Sequence, residues 1–325
     1  MILVTGGAGF IGSNLVAALT GRDDQAIAVC DRLGVDDKWR NIAKHSISEF
    51  VQPENLFSWL DTHANEIEAV FHLGASSSTT ERDADSVVNN NFSLSLAIWR
   101  WCSRHDTRLI YASSAATYGD GSNGFNDDPE LSAALRPLNL YGWSKHIFDR
   151  NALRLANSRQ HPPQWVGLKF FNAYGPNEYH KDGQQSVVVQ FFEQIAADGK
   201  ARAFKSHHPD YEDGGQMRDF IWVGDCVDVM LWAYDHTHLN GIYNCGTGTA
   251  RSFSDLAHAC FAAMRQPEVI DFIDTPTEIR GKYQYFTEAN MARLIGAGYD
   301  KPFTSLEDGV TRYVTDFLAS NDPYR

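Results

Sequence analysis

A tyrosine and a lysine four positions apart are the residues of this sequence whose spacing first suggests chemistry. The stretch NLYGWSKHIFD begins at Asn139 and contains Tyr141 and Lys145. Residues at positions i and i+4 lie on the same face of a helix, so the ammonium would lie against the phenol. A nearby positive charge lowers the pKa of a phenol from about 10, which would let the tyrosine exchange a proton near neutral pH. The alternative is an incidental pair on an exposed helix.

A glycine-rich segment near the amino terminus has the spacing of a dinucleotide-binding turn. TGGAGFIG places Gly6, Gly9 and Gly12 at intervals of three, between a predicted strand, ILVT, and a predicted helix, FIGSNLVAALTG. Glycines allow a tight turn and let the backbone approach a pyrophosphate, whose charge is stabilised by the helix N-terminus. Asp31 ends the second predicted strand, where an acidic residue can bind a ribose. The alternative is a glycine-rich turn that binds no ligand.

The residues around Asp31 give conflicting signals about the cofactor. The carboxylate of Asp31 favours NAD, because it accepts a hydrogen bond from the ribose hydroxyl and repels a 2′-phosphate. Arg32 follows at once and Lys38 is close in sequence, and both could pair with that phosphate. We predict NADP, with NAD as the alternative.

The elements that must position these residues can be predicted from the alternation of strands and helices. Four short apolar runs, ILVT, AIAVCD, EAVFHLG and RLIYASS, are separated by segments that include helical patterns. This alternation is typical of a parallel sheet with helices on both faces, so we predict an α/β fold, a Rossmann-type doubly wound sheet. The serines of YASSAATYG follow the last run, which places Ser114 at the carboxyl edge of the sheet, where open α/β folds bind ligands.

The length of 325 residues suits one large α/β unit or two packed lobes. We predict a dinucleotide-binding domain over residues 1–173, to which residues 220–240 return. Residues 174–219 and 241–325 would form a smaller, interleaved C-terminal α/β substrate lobe. The segment from about 177 to 219 is polar and rich in His, Asp and Gly, so we expect a loop-rich insertion over the site.

Composition excludes several classes of function. The net charge of −13 argues against binding to nucleic acid or to an anionic membrane surface. No apolar run approaches the roughly 18–20 residues that a membrane span needs, and the start of the chain does not resemble a signal peptide. The five cysteines are widely spaced and form no CxxC, so we expect no disulfide or zinc site and a cytoplasmic location: Cys30, Cys102, Cys226, Cys245 and Cys260.

The histidine-rich loop is not expected to bind a metal. His207 and His208 lie near Asp210 and Asp213, but adjacent side chains in a loop seldom converge on one ion. We predict no metal.

Ser114, Tyr141 and Lys145 together resemble the Ser–Tyr–Lys set of the short-chain dehydrogenase/reductase superfamily. The chain is similar to its extended branch, the sugar-nucleotide epimerases and dehydratases, in TGGAGFIG, YASSAATYG, YGWSK and FFNAYGP, which occur in the expected order. The resemblance implies that the tyrosine exchanges a proton with a sugar hydroxyl. The lysine would lower its pKa and hold the nicotinamide ribose, and the serine would hydrogen-bond the reacting oxygen.

Further motifs resemble one family in this branch, the ADP-L-glycero-D-manno-heptose 6-epimerases. They are GASSSTTE, VNNNFS, LNLYGWSK, FNAYGPNEYHK, MRDF and AGYDKPF, and they extend over essentially the whole chain. The resemblance implies inversion of C6 of ADP-D-glycero-D-manno-heptose for lipopolysaccharide core synthesis, by transient oxidation and re-reduction with bound NADP. It also implies a homo-oligomer, with a pentamer as the specific form.

Two alternatives stay open. The first is a UDP-sugar 4-epimerase or a related nucleotide-sugar dehydratase. A dehydratase would normally have an acidic residue beside its catalytic Ser or Thr, whereas Ala115 and Ala116 follow Ser114 here. The second is a non-catalytic NAD(P)-binding regulator, which would not need the Ser–Tyr–Lys set.

The resemblance implies a second acid/base at Lys181, in EYHK. Inversion requires that hydride leaves one face of the carbonyl and returns to the other, so proton transfer is needed in two orientations. Tyr141 would serve one orientation and Lys181 the other; the alternative for Lys181 is a solvated loop lysine.

The resemblance also assigns binding residues. The cofactor would contact Gly6, Gly9, Phe10, Ile11, Gly12, Asp31, Arg32, Lys38, Leu73, Gly74, Ala75, Ser76, Ser77, Asn90, Lys145, Ala173 and Lys181. The substrate would contact Asn172, Gly183, Gln190, Phe204, Arg218 and Tyr283, with Arg218 suited to a diphosphate oxygen. The chain departs from relatives at four positions. Relatives can carry Glu at Leu73, Ser at Gly183, His at Gln190 and Lys at Pro53, and the segment HPDYEDGG lengthens the loop before Arg218.

Overall fold

Short strands form one large sheet and three strand pairs. The computed structural model describes residues 1–22, 25–280 and 284–325. Its strands are β1 (Ile2–Thr5), β2 (Ile27–Cys30), β3 (Glu49–Val51), β4 (Ala69–His72), β5 (Arg108–Ser114), β6 (Trp165–Phe170), β7 (Asn172–Tyr174), β8 (Ala201–Phe204), β9 (Met217–Arg218), β10 (Phe220–Trp222), β11 (Asn240–Cys245), β12 (Arg251–Ser252) and β13 (Ile270–Ile273). The large sheet has the order β3-β2-β1-β4-β5-β6-β11 and is parallel throughout. The predicted Rossmann-type doubly wound sheet is therefore confirmed.

Helices cover both faces of this sheet. They are α1 (Phe10–Thr20), α2 (Leu56–Thr62), α3 (Ala84–Val87), α4 (Leu94–Arg104), α5 (Leu140–Asn157), α6 (Val187–Asp198), α7 (Val223–Asp235), α8 (Phe253–Met264), α9 (Thr277–Arg280), α10 (Ala292–Gly296) and α11 (Leu306–Tyr313). Side chains alternate between the faces along β1: Ile2 and Val4 pack with α1 and α7, and Leu3 packs with α2, α4 and α5. Strands buried on both faces explain the continuous apolar runs of the sequence.

A smaller lobe has its own core. Apolar side chains of α6, α8 and α11 pack there against β8 and β10. Strand β13 pairs with β8, β7 with β10, and β12 with β9. The polar segment 177–219, which we expected to be rich in loops, contains α6 and β8, because its VVVQFF run supplies an apolar helix face.

The domain limits remain a prediction, but the sheet bears on one of them. Strand β11 is hydrogen-bonded to β6 along its full length and forms an edge of the large sheet. The segment that returns to the first lobe would therefore extend past residue 240, to 245.

Two sequence segments fold differently from their apparent pattern. The apparent single strand WVGLKFFNAYGP is divided at Phe171 into β6 and β7, which lie in different sheets. The helical pattern before Arg104 is interrupted by a π-helical turn, Val88–Ser93. No helix in the described part of the chain is both long and apolar enough to cross a membrane.

Candidate active site

The glycine-rich turn joins β1 to α1 where backbone segments come very close. Gly6 has φ +67°, and a Cβ on it would lie 2.6 Å from the backbone N of Gly74. A Cβ on Gly12 would lie 2.1 Å from the carbonyl O of Gly6. Any side chain would therefore displace the turn or the start of α1, which begins at Phe10. This is the close-packed glycine cradle that lets a pyrophosphate approach a helix N-terminus.

The Asp31 carboxylate is hydrogen-bonded both to the backbone of the glycine-rich turn and to Lys38. Its carboxylate accepts hydrogen bonds from Ala8 N at 2.9 Å and from Lys38 Nζ at 2.6 Å. Arg32 is exposed and forms an ion pair with Glu54. Lys38 thus partly neutralises the carboxylate expected to bind the ribose, and Arg32 already has an acidic partner, which the sequence did not indicate.

The loop after β4 is held by the asparagines of VNNNFS. Asn90 Nδ2 donates to Ser76 Oγ at 3.0 Å. Asn91 was not predicted as a site residue, yet it is fully buried, accepts from Ser76 N at 2.8 Å and donates to Ser144 Oγ at 2.9 Å. Since Ser144 lies in α5, Asn91 fixes the predicted cofactor loop, residues 73–77, against the helix that carries Tyr141.

Ser114 and Tyr141 are brought together at the carboxyl edge of the sheet. Asn139 caps α5 by accepting a hydrogen bond from Gly142 N at 2.8 Å. A Cβ on Gly142 would lie 2.5 Å from Ala116 O, so glycine lets the helix approach the turn after β5. The Ser114 hydroxyl and the Tyr141 phenol are thereby neighbours that line one cavity.

The pKa of Tyr141 moves in the opposite direction from our prediction. Burial raises the pKa of Tyr141, and the neighbouring Ser114 hydroxyl only partly opposes this. Lys145 was expected to lower it, but its Nζ donates to the carbonyl O of Ala112 at 2.8 Å. Burial also lowers the pKa of Lys145 to about 8, so that less positive charge is available near pH 8.

A buried ion pair lies one helical turn beyond Lys145. Asp149 accepts hydrogen bonds from Lys169 Nζ at 2.7 Å, Ser113 Oγ at 2.6 Å and Tyr111 OH at 3.1 Å. Asp149 and Lys169 are both almost completely buried. The pair therefore joins α5 to β5 and β6 beneath the candidate site.

Lys181 lies beside the glycine-rich turn. It belongs to a 3-10 helical turn, Tyr179–Gln184, and its Nζ is 4.5 Å from the centroid of the Phe10 ring. Burial lowers the pKa of Lys181, and the charge of Glu178 opposes this. The Glu178 carboxylate is fully buried, and it accepts from Ser186 Oγ at 2.7 Å and from Tyr313 OH at 3.0 Å.

A cavity of about 850 Å³ opens beside Ser114 and Tyr141. Asn172 and Arg218, two predicted substrate residues, also line it. Arg218 is almost buried, with Nη1 donating to Met217 O at 2.8 Å and its guanidinium 5.6 Å from the Phe253 ring. A volume of this size suits a ligand larger than a simple sugar.

Three other predicted substrate residues, Gly183, Gln190 and Phe204, do not line this cavity. Gly183 is exposed, and Gln190 donates to Gln185 O at 3.2 Å. Phe204 is half-buried at the end of β8. Tyr283 lies outside the described residues. The contact of all four with substrate remains a prediction.

Comparison with known proteins decides the family. The model of the NAD dependent epimerase/dehydratase family matches residues 2–246. The chain belongs to this family. The ADP-L-glycero-D-manno-heptose-6-epimerase of Nitratidesulfovibrio vulgaris is 47% identical over 327 residues, covering 100% of both chains. That of Fusobacterium nucleatum is 45% identical over 334 residues, again covering 100% of both.

Solved structures of two other epimerases have the same fold. The Helicobacter pylori ADP-L-glycero-D-manno-heptose-6-epimerase has a TM-score of 0.80 and 26% identity, covering 97% of this chain and 95% of its own. The Thermus thermophilus UDP-glucose 4-epimerase in complex with NAD has a TM-score of 0.74 and 25% identity, covering 95% and 96%.

Most predicted cofactor residues lie along one edge of the sheet. The glycine-rich turn comes directly after β1, Asp31 after β2, and the loop from Leu73 to Ser77 after β4. Lys145 lies in α5 and Ala173 in β7. The residues that sequence reasoning missed are their supports, namely Glu54, Asn91, Asp149, Lys169 and Glu178. VNNNFS and the Asp four positions after Lys145 were visible signals for two of them.

Proposed function

We propose that the protein is an epimerase that inverts C6 of the heptose in ADP-D-glycero-D-manno-heptose to give ADP-L-glycero-D-manno-heptose. The observation that carries the proposal is the 47% identity, over the full length of both chains, to relatives of that name. The site agrees with it, because Ser114 and Tyr141 line a cavity whose volume suits a nucleotide sugar.

A nicotinamide dinucleotide, when bound, supplies the hydride acceptor and donor that such an inversion needs. The residues fit this group, since Gly6 and Gly12 permit a turn too tight for any Cβ at the start of α1, the form of turn whose backbone a pyrophosphate approaches. We propose NADP, with NAD as the alternative. Lys38 favours NADP because it adds a cation at Asp31; the Arg32–Glu54 pair would have to open for Arg32 to contact a 2′-phosphate.

The protein's own groups would do the proton chemistry and the binding. Tyr141 would take a proton from the C6 hydroxyl or return one to it, with Ser114 hydrogen-bonded to the same oxygen. Lys181 would act as the second acid/base, and the guanidinium of Arg218 would bind a diphosphate oxygen.

The organisation of the molecule follows the same proposal. Residues 1–173 and 220–240, extended to 245 by β11, would bind the dinucleotide, and 174–219 with the rest of the chain would bind the sugar nucleotide. A cytoplasmic homo-oligomer, specifically a pentamer, remains part of the proposal.

The test is direct conversion. The purified protein is incubated with ADP-D-glycero-D-manno-heptose, and the two C6 epimers are separated and quantified, with Tyr141→Phe as the inactive control. We expect both epimers at equilibrium. No conversion, together with interconversion of UDP-glucose and UDP-galactose, would replace the proposal with a UDP-sugar 4-epimerase. The cofactor is identified separately, by denaturing the protein and analysing the released nucleotide.

A further inference from the structure

A second cavity, of about 580 Å³, lies on the opposite face of the sheet from α1. It is formed by α4, the end of α5 and α2, whereas the cavity beside Tyr141 lies at the carboxyl edge of the strands. The half-buried Phe57 and Ala97 supply its accessible apolar surface, with Trp99 and Leu155 buried behind them. The proposed epimerisation does not use this cavity.

Its lining is strongly basic. Arg100, Arg104 and Arg159 line it together with His161, and no Asp or Glu is among the described residues that do so. The chain as a whole has 41 Asp and Glu against 28 Lys and Arg, so a cluster of three arginines without an acid is unusual for this surface.

The three guanidinium groups are not used inside the protein. Within residues 1–22, 25–280 and 284–325, none of them has a carboxylate at ion-pair distance or a side-chain hydrogen bond. Some surface arginines pair with acids, as Arg22 does with Asp235 at 2.8 Å and Arg251 with Glu307 at 2.7 Å. The three arginines of this cavity are distinguished by lining one cavity together.

The arrangement also has an electrostatic cost. Arg100 and Arg104 are at i and i+4 of α4, where like charges destabilise a helix. Arg159 approaches from just after α5, where its φ of +58° ends the helix, with Arg159 N donating to Ala156 O and Gln160 N to Leu155 O, each at 2.9 Å. Arg104 lies in the last turn of α4, where a cation interacts favourably with the helix dipole. A bound anion would offset the repulsion among all three.

We propose that this cavity binds a nucleoside polyphosphate. Planar, always charged guanidinium groups suit bidentate contact with phosphate oxygens, and three of them match a di- or triphosphate better than a single charge. The half-buried ring of Phe57, beside Ala97, gives a base an apolar surface to contact, and the volume is in the range of nucleotide-sized ligands.

The test compares two matched triple variants. Arg100→Gln, Arg104→Gln and Arg159→Gln are combined to remove the cluster. The control combines Arg150→Gln, Arg312→Gln and Arg265→Gln. Arg150, like Arg100, is exposed inside a helix, and Arg312, like Arg104, lies in the last turn of a helix. Arg265, like Arg159, is exposed and has a left-handed φ, which is +54°. Equal epimerase activity in both variants checks that they fold.

Binding of ATP and of tripolyphosphate is then measured by isothermal titration calorimetry at low salt. We expect the wild type and the control variant to bind ATP at this site. In the cluster variant the affinity for ATP should be about 100-fold lower, or binding should be lost. Tripolyphosphate should bind more weakly than ATP, because it cannot contact the apolar surface of Phe57 and Ala97. An Arg218→Gln variant should retain this site, since Arg218 lines the other cavity.

Three results would overturn the proposal. Unchanged binding in the cluster variant would show that the arginines do not form the site. Loss in Arg218→Gln alone would place the binding in the substrate cavity. A change in oligomeric state of the cluster variant, with no binding of either probe to the wild type, would show that the arginines face an acidic surface of a second copy.

Discussion

At the scale of single residues, the protonation of two side chains governs the proposed chemistry. Tyr141 is next to Ser114, and Lys181 is next to the Phe10 ring and near the charge of Glu178. Removing a general acid/base typically lowers the rate by about 10²–10⁴-fold. We expect Tyr141→Phe and Lys181→Met each to lose epimerisation by that factor, measured by separation of the C6 epimers, and to fold normally.

The control for this pair is Lys200→Met, which removes a half-buried lysine that is paired with Asp271 outside the candidate site. It should epimerise at the wild-type rate. A substrate analogue with an aldehyde at C6 can dismutate by hydride transfer without inversion. Tyr141→Phe and Lys181→Met can therefore be distinguished by which half-reactions of this dismutation each variant retains. If Lys181→Met epimerises like the wild type, Lys181 is not an acid/base of this reaction.

Lys145 gives a prediction about pH. Its pKa falls to about 8 in the folded protein from an ordinary value of 10.5, mainly because of burial. Between these values the unfolded chain holds the proton that the folded protein has released, so the free energy of unfolding rises with pH. Relative to Lys145→Met, the wild type should gain on the order of 3 kcal/mol between pH 8 and pH 10.5.

Urea unfolding at these two pH values measures the difference. Lys200→Met serves as the control again, because it makes the same substitution at a lysine outside the candidate site. A wild type that loses stability relative to Lys145→Met over this range would mean that the pKa of Lys145 is raised instead.

At the scale of elements, the start of α1 depends on one close backbone contact. A Cβ on Gly12 would lie 2.1 Å from Gly6 O, whereas one on Gly21, at the end of the same helix, would lie 3.5 Å from Ala18 O. Gly12→Ala should therefore displace the glycine-rich turn and reduce the dinucleotide retained per protomer, while Gly21→Ala should retain it fully. Equal retention in the two variants would show that the turn tolerates a side chain. The readout is the nucleotide released on denaturation.

The attachment of α5 to the sheet depends on the Asp149–Lys169 pair. Asp149→Asn leaves a buried ammonium without its counter-charge, which typically costs about 3–5 kcal/mol. Lys169→Met should cost a similar amount, and the double variant should be much more stable than the sum of both losses, because it buries no unpaired charge. Urea unfolding of the wild type, the two single variants and the double variant gives the four free energies of this double-mutant cycle. Small, additive losses in the free energy of unfolding would argue that the pair is solvated.

At the scale of the whole molecule, Asn177 connects distant parts of the chain just before Lys181. It is fully buried, with φ +73°; its Nδ2 donates to Ser13 Oγ at 3.0 Å and its Oδ1 accepts from Arg325 N at 2.9 Å. Asn177→Ala loses these bonds and keeps the left-handed backbone, so it should destabilise the protein by about 2–4 kcal/mol.

Asn177→Gly separates the two effects. It loses the same hydrogen bonds, but glycine adopts a left-handed φ readily, so this variant should be about 1 kcal/mol more stable than Asn177→Ala. Both are measured by urea unfolding. An alanine variant as stable as the glycine variant would show that the backbone relaxes at this position.

The sequence alone determined the features that depend on local spacing. Gly6 and Gly12 had to form a turn between a strand and a helix, and Tyr141 and Lys145 had to share one face of a helix, because turns and helix faces are set by neighbours within a few residues. The alternation of apolar runs similarly determined the parallel sheet.

Only the tertiary structure decided what surrounds these groups. Lys145 donates to Ala112 rather than tuning the phenol, and burial sets the direction of the pKa of Tyr141. Asp149 meets Lys169, and Arg159 joins the arginines of α4, across separations that no local pattern encodes. The desolvation of a charge and the identity of its partner depend on how distant segments pack, so they could not be predicted from spacing along the chain.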